Sequence, residues 1–213
     1  MKTDELVTML ATGGAMIEPR GATRRFAATI SLGAAGATLL MATMLGVRHD
    51  LGATMSQPMF WVKLAYVAFL AFASLWAASR VSRPGSRLAG VVPALAAPVL
   101  AMWMLSGIVL VTANPVERGE LLFGQTWTSC PLLIATLSIP VFVAVIWAMK
   151  GLAPTRLRLS GAAAGFAAGA IAALVYSFHC TEMGAPFLGT WYLLGVLIPI
   201  IVGTVLGPRL LRW

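Results

Sequence analysis

Reactive and charged side chains are scarce in this chain of 213 residues. It has two cysteines, two histidines and seven acids, and charged residues make up only 10% of it. A soluble domain carries about 25% charged and about 45–50% apolar residues. Here the hydrophobic share is 59% and the mean hydropathy is +0.88. That much apolar surface cannot fit inside one soluble core, so a bilayer must be the solvent for part of it. The longest hydrophilic stretch, residues 1–25, leaves no room for a separate soluble catalytic domain. No phosphate-binding glycine loop, HExxH helix or GxSxG elbow is present, and this excludes the common enzyme classes that announce themselves by motif. The absence of a CxxC pair argues against an enzyme that makes disulfides. The chain reads as a protein that is not an enzyme.

What is present is a series of six apolar stretches, at 26–47, 59–79, 88–112, 130–149, 159–178 and 187–206. Each approaches the ~20 residues a helix needs to cross ~30 Å of hydrocarbon. Backbone polar groups in lipid must be satisfied within the segment, so the stretches predict helices. The fold class is all-α: a polytopic membrane protein with a cytoplasmic arm over 1–25, a transmembrane domain over 26–208 and a tail over 209–213. Of the fifteen lysines and arginines, only Arg48, Lys63 and Arg118 fall on one side. This asymmetry predicts that both termini are cytoplasmic, in the inner membrane of a bacterium. It also accounts for the isoelectric point near 10.5 without invoking nucleic acid.

Lys63 is the only charged residue within a predicted span, close enough to the outer end to snorkel. A charge at the midplane would mark an ion or proton path, and none is found. Trp61, Trp127, Trp191, Tyr176 and Tyr192 fall at outer span ends, where amphipathic rings favour the headgroup level. Gly161, Gly165 and Gly169 line one face of the fifth span and permit close helix packing. Pro93, Pro98, Pro140 and Pro199 should kink their spans.

Both cysteines fall at the outer face, Cys130 opening the fourth span and Cys180 ending the fifth within SFHCTE. A hairpin between these spans brings both to one membrane level. Pro131 places Cys130 at the N-cap, where the helix dipole stabilises a thiolate. Cys180 stands beside His179 and near Glu182, and these groups are ligands for a borderline metal. Three chemistries fit: a structural disulfide or inert thiols, a redox-responsive pair, and a metal-responsive site to which His49 or Glu117 contributes. No resident cofactor is required.

In the arm, Thr3 can cap a helix with Asp4 and Glu5 in its first turn. Leu6, Val7, Met9 and Leu10 form an apolar stripe that Gly13 and Gly14 terminate. So short a helix is marginal in water and calls for a cover. Its acids disfavour a membrane headgroup surface and favour a protein groove.

The opening MKTDELVTMLA, the six spans, and the cysteines of TWTSCP and FHCTE together resemble the NrsF-type membrane anti-sigma factors. The resemblance covers essentially the whole chain. It implies that the arm holds a cytoplasmic extracytoplasmic-function sigma factor at the bilayer through Asp4, Glu5, Leu6, Val7, Met9 and Leu10. It further implies that Cys130 and Cys180 sense metal or oxidative stress, by transient heavy-metal binding or a disulfide. The alternative is a small membrane carrier or accessory subunit for a metal or a neutral solute.

Overall fold

The computed structural model describes residues 3–12, 19–83, 89–152 and 154–212. Of helical residues 6, 9–12, 19–23 and 25 it describes the backbone alone. The described residues are helical, without a strand. Six helices are long and apolar enough to cross a membrane. Five are α2 (Pro19–Met44), α4 (Pro58–Val81), α5 (Val91–Thr112), α7 (Cys130–Lys150) and α8 (Leu157–Tyr176). The sixth joins α9 (Ala185–Phe187), a π-helical segment (Leu188–Tyr192) and α10 (Leu193–Leu210). Short helices α1 (Thr3–Thr12), α3 (Leu51–Thr54) and α6 (Arg118–Phe123) lie outside the spans.

Local chemistry sets several of these ends. Pro58 opens α4, where its missing N–H costs no hydrogen bond. Gly46 closes α2 at a φ of 77°, and its N–H donates to the Met41 carbonyl at 3.0 Å. The positive φ is one that glycine adopts without a Cβ penalty. The first span starts at Phe26, as the apolar stretch suggests, and helix α2 starts earlier, at Pro19, so the basic turn before Phe26 belongs to the same helix. Leu88, where the third stretch begins, lies outside the described residues, and α5 begins at Val91. Pro93 therefore stands in the first turn of α5 and interrupts no helical hydrogen bond, unlike Pro98, Pro140 and Pro199 inside their helices. The fifth span ends at Tyr176, two residues before its apolar stretch does, and frees the chain that follows from the helix.

Helix α8 is the hub. It packs against α4, α7 and α10, and 78% of its most apolar window is buried, against 11% for α5. Its glycines and alanines make this position available, because they let neighbours approach from all sides. A Cβ at Gly161 or Gly165 would collide with the carbonyls of Gly203 and Pro199 in α10, and one at Gly169 with Val196 and Pro199. The predicted glycine face is thus the α8–α10 interface. Helix α2 leans on α7 in the same manner, with Gly33 against Val141 and Ala144 and Gly36 against Pro140. α5 sits at the periphery, packed on α4 and α9.

Candidate functional site

At one end of the bundle the chain leaves α8 and runs without regular structure from Cys180 to Gly184 before α9 begins. Backbone polar groups at this depth must find partners, and cationic side chains supply them. Lys63 Nζ, from α4, donates to the Cys180 carbonyl at 2.9 Å and to the Glu182 carbonyl at 3.0 Å. The ammonium also lies 5.2 Å from the centre of the Tyr192 ring, within cation–π range. Lys63 is 0% exposed, so it does not snorkel outward. Two carbonyls and a ring face hold it inside.

Arg48 approaches the same segment from the end of span one. Its N–H donates to the Phe178 carbonyl at 3.2 Å, and Nη1 donates to the Cys180 carbonyl at 3.4 Å. Nε and Nη2 form a two-pronged pair with Asp50, each at 2.7 Å. Such forked geometry aligns a guanidinium as well as binding it. The Arg48 partner holds the Asp50 carboxyl at about 2, below its ordinary range, and Asp50 in turn raises Arg48 above its own. One carbonyl oxygen, that of Cys180, therefore receives donors from span one and span two.

Both thiols are buried, Cys130 at 0% and Cys180 at 2% exposure, and neither is in a disulfide. They lie in one buried cluster together with Tyr176. The hairpin of α7 and α8 does bring the two cysteines to one place. Cys130 is the first residue of α7, capped by Ser129, and Pro131 is second. The helix starts one residue earlier than Pro131 suggests because the Cys130 N–H already donates to the Thr126 carbonyl, at 2.9 Å. Its environment is a protein interior, not an open helix end.

The remaining candidates divide. The His179 ring faces span one: Nδ1 donates to the Gly46 carbonyl at 2.9 Å, and since that oxygen can only accept, Nδ1 carries the proton. The Glu182 carboxylate faces the loop before α7, accepting from the Gln125 N–H at 2.8 Å and the Thr126 hydroxyl at 3.4 Å. His49 is exposed. Glu117 is exposed too and lines a shallow cleft with Glu120, Leu121, Glu182 and Gly184. Among the described residues no group of three or more His, Cys, Asp and Glu side chains could hold a metal ion. What gathers in one buried cluster is the pair of free cysteines.

Three members of the site escape a reading by motif: Lys63, Tyr176 and Tyr192. The tyrosines do not form part of an interfacial belt. Both are 1% exposed, and their rings pack together, 5.8 Å between centres. Tyr192 sits in the π-helical segment, a local widening common at functional sites. Its hydroxyl and that of Tyr66 have no hydrogen-bond partner among the described residues. Trp191 does behave as an interfacial anchor, its Nε1–H donating to the Leu122 carbonyl at 2.8 Å.

At the other end of span one, α1 is a helix with Asp4, Glu5 and Val7 exposed, Val7 at 58%. Thr3 lies inside this helix. The side chains of Leu6, Met9 and Leu10, and the terminating Gly13 and Gly14, lie outside the described residues.

A six-span helical membrane protein with two buried cysteines at one end of the bundle fits a regulator or a carrier by its architecture. Sequence comparison separates the two. Residues 10–213 match the family described as NrsF, negative regulator of sigma F. The chain is 57% identical over its whole length, and that of the relative, to the probable anti-sigma-F factor NrsF of Azospira oryzae. It is 38% identical, again over the full length of both, to the anti-sigma-F factor NrsF of Caulobacter vibrioides. No solved structure matches the chain. The chain belongs to the NrsF family of anti-sigma factors, which are regulators and not enzymes.

Proposed function

We propose that this protein holds an extracytoplasmic-function sigma factor at the cytoplasmic face of a bacterial inner membrane. It releases that factor when Cys130 and Cys180 react on the periplasmic side. The relatives' names support a sigma-factor partner. Helix α1 supplies the surface, with Asp4 and Glu5 for basic residues on the partner and Leu6, Val7, Met9 and Leu10 as apolar anchors. The observation that carries the sensing half is the burial of two free cysteines in one cluster, at the end of the bundle opposite the N-terminal end of span one. Oxidation would join the two sulfurs while two electrons and two protons pass to the oxidant. A thiophilic ion would bridge them instead. Either event alters the packing of α7 on α8, and it can shift the holding state only through a different affinity for the two arrangements.

Co-purification from membranes tests this reading. The full chain should retain a co-produced extracytoplasmic-function sigma factor, and Leu6→Asp or loss of residues 1–20 should abolish retention. Treatment with diamide or a thiophilic divalent metal should release it from the wild type and from neither Cys130→Ser nor Cys180→Ser. Normal release from the double variant would return the cysteines to a structural role.

A further inference from the structure

The proposed sensing places the thiols between spans four and five, while the arm precedes span one. Some contact must join them. The segment 178–182 makes three hydrogen bonds to the end of span one: Arg48 N–H to Phe178 O, Arg48 Nη1 to Cys180 O, and His179 Nδ1 to Gly46 O. It makes two more to span two, both from Lys63. Of the two cysteines, Cys130 is fixed in the first turn of a helix, whereas Cys180 begins the non-helical run. Any closure of the sulfurs therefore moves the Cys180 main chain more than that of Cys130. Its carbonyl is the atom both cations grip.

We propose that Arg48 and Lys63 are positioning residues that clamp the Cys180 carbonyl from two sides and carry a change at the thiols into spans one and two. This rests on the thiol-sensing reading above. Arg48 is the directional half. Its fork to Asp50 keeps the guanidinium in one orientation, so displacement of the carbonyl pulls on the Gly46–Asp50 turn and on the helix it ends. Helix α2 is continuous from Pro19 to Met44, and a rigid helix transmits such a pull to its far end. Lys63 holds the same carbonyl to the bundle, so that the movement is a pivot and not a loss of order.

Hydrogen exchange on the full-length protein in lipid nanodiscs, with diamide as oxidant, tests the clamp. Diamide takes two electrons and two protons from the thiols, its N=N bond becoming a hydrazine, and the Sγ–Sγ bond forms. In the wild type, oxidation should raise exchange in 45–50 and in the first turns of α2 by about tenfold. Arg48→Met should still form the disulfide, seen on a non-reducing gel, and lose that rise. Arg48→Lys, which keeps the charge without the fork, should recover about half of it. Asp50→Asn, at an exposed site that does not endanger folding, should weaken the rise in the same way. An equal rise in Arg48→Met and the wild type overturns the clamp alone. A wild type that forms no disulfide overturns the thiol reading and the clamp with it.

Discussion

At the scale of single residues, the site is a balance of satisfied and unsatisfied polar groups. Tyr192 illustrates both: its ring receives Lys63, while its buried hydroxyl has no hydrogen-bond partner among the described residues. An unpaired buried polar group costs about 1–3 kcal/mol. Tyr192→Phe keeps the ring and removes the liability, so its thermal midpoint in detergent should equal or exceed that of the wild type. Tyr192→Leu discards the cation–π contact and should lower it; a lower midpoint for the Phe variant would show that the hydroxyl is bonded. Asp50 makes a pH prediction. Its folded carboxyl titrates at about 2, chiefly because Arg48 donates to it, against an ordinary value of 3.8. A depressed value means that the ionised pair stabilises the fold above about 3.8 and that this is lost as pH falls toward 2. The melting difference between wild type and Asp50→Asn should be present at pH 6 and vanish at pH 2. A gap that persists at pH 2 would assign the stabilisation to something other than this ion pair. Neither residue belongs to a motif. Lys63 meets carbonyls 117 and 119 positions away, a pairing that spacing along the chain cannot display.

At the scale of elements, the six spans were legible because length and apolarity alone determine them in lipid. A close helix contact on α8 was legible as well, in Gly161, Gly165 and Gly169, but not the central place of α8, which depends on how all its neighbours pack. Less legible were the ends, which depend on hydrogen bonds of single residues: Gly46, the Thr126 carbonyl ahead of Cys130, and the early stop at Tyr176. That stop decides the site, since it releases 180–184 from the helix and creates the carbonyls that Lys63 and Arg48 fill. The glycine interface gives the element-scale prediction. Gly165→Ala would drive a methyl into the Pro199 carbonyl, backbone against backbone, where neither helix can yield by a rotamer change. Overpacking of this kind costs about 1–3 kcal/mol, so the unfolding transition in a denaturing-detergent titration should move to lower detergent. Gly107→Ala in α5 meets nothing within 4 Å and should be neutral or stabilising by about 0.5–1 kcal/mol, as an alanine replaces a glycine inside a helix. Equal behaviour of the two variants would mean that α8 and α10 do not pack through this face.

At the scale of the whole molecule, two surfaces at opposite ends of span one divide the work. The buried dithiol end is tied into five of the six spans: Arg48 follows α2, Lys63 lies in α4, Cys130 in α7, Tyr176 in α8 and Tyr192 in the last. Helix α1, in contrast, shows Asp4, Glu5 and Val7 to its surroundings. The composition of the arm suggested a surface in search of a partner; the family brings a sigma-factor partner, and the arm is the proposed surface for it. A molecule so divided should lose one function without the other. Deleting residues 1–12 should leave the thermal midpoint of the six-span domain unchanged, because the described side chains of α1, Asp4, Glu5 and Val7 among them, are exposed. The same deletion should abolish retention of the sigma factor while diamide still links Cys130 to Cys180. The complementary variant, Cys180→Ser, should retain the sigma factor with and without diamide. If loss of the arm instead lowered the midpoint, α1 would be part of the bundle, and release would have to proceed by unfolding and not by the transmitted shift of span one.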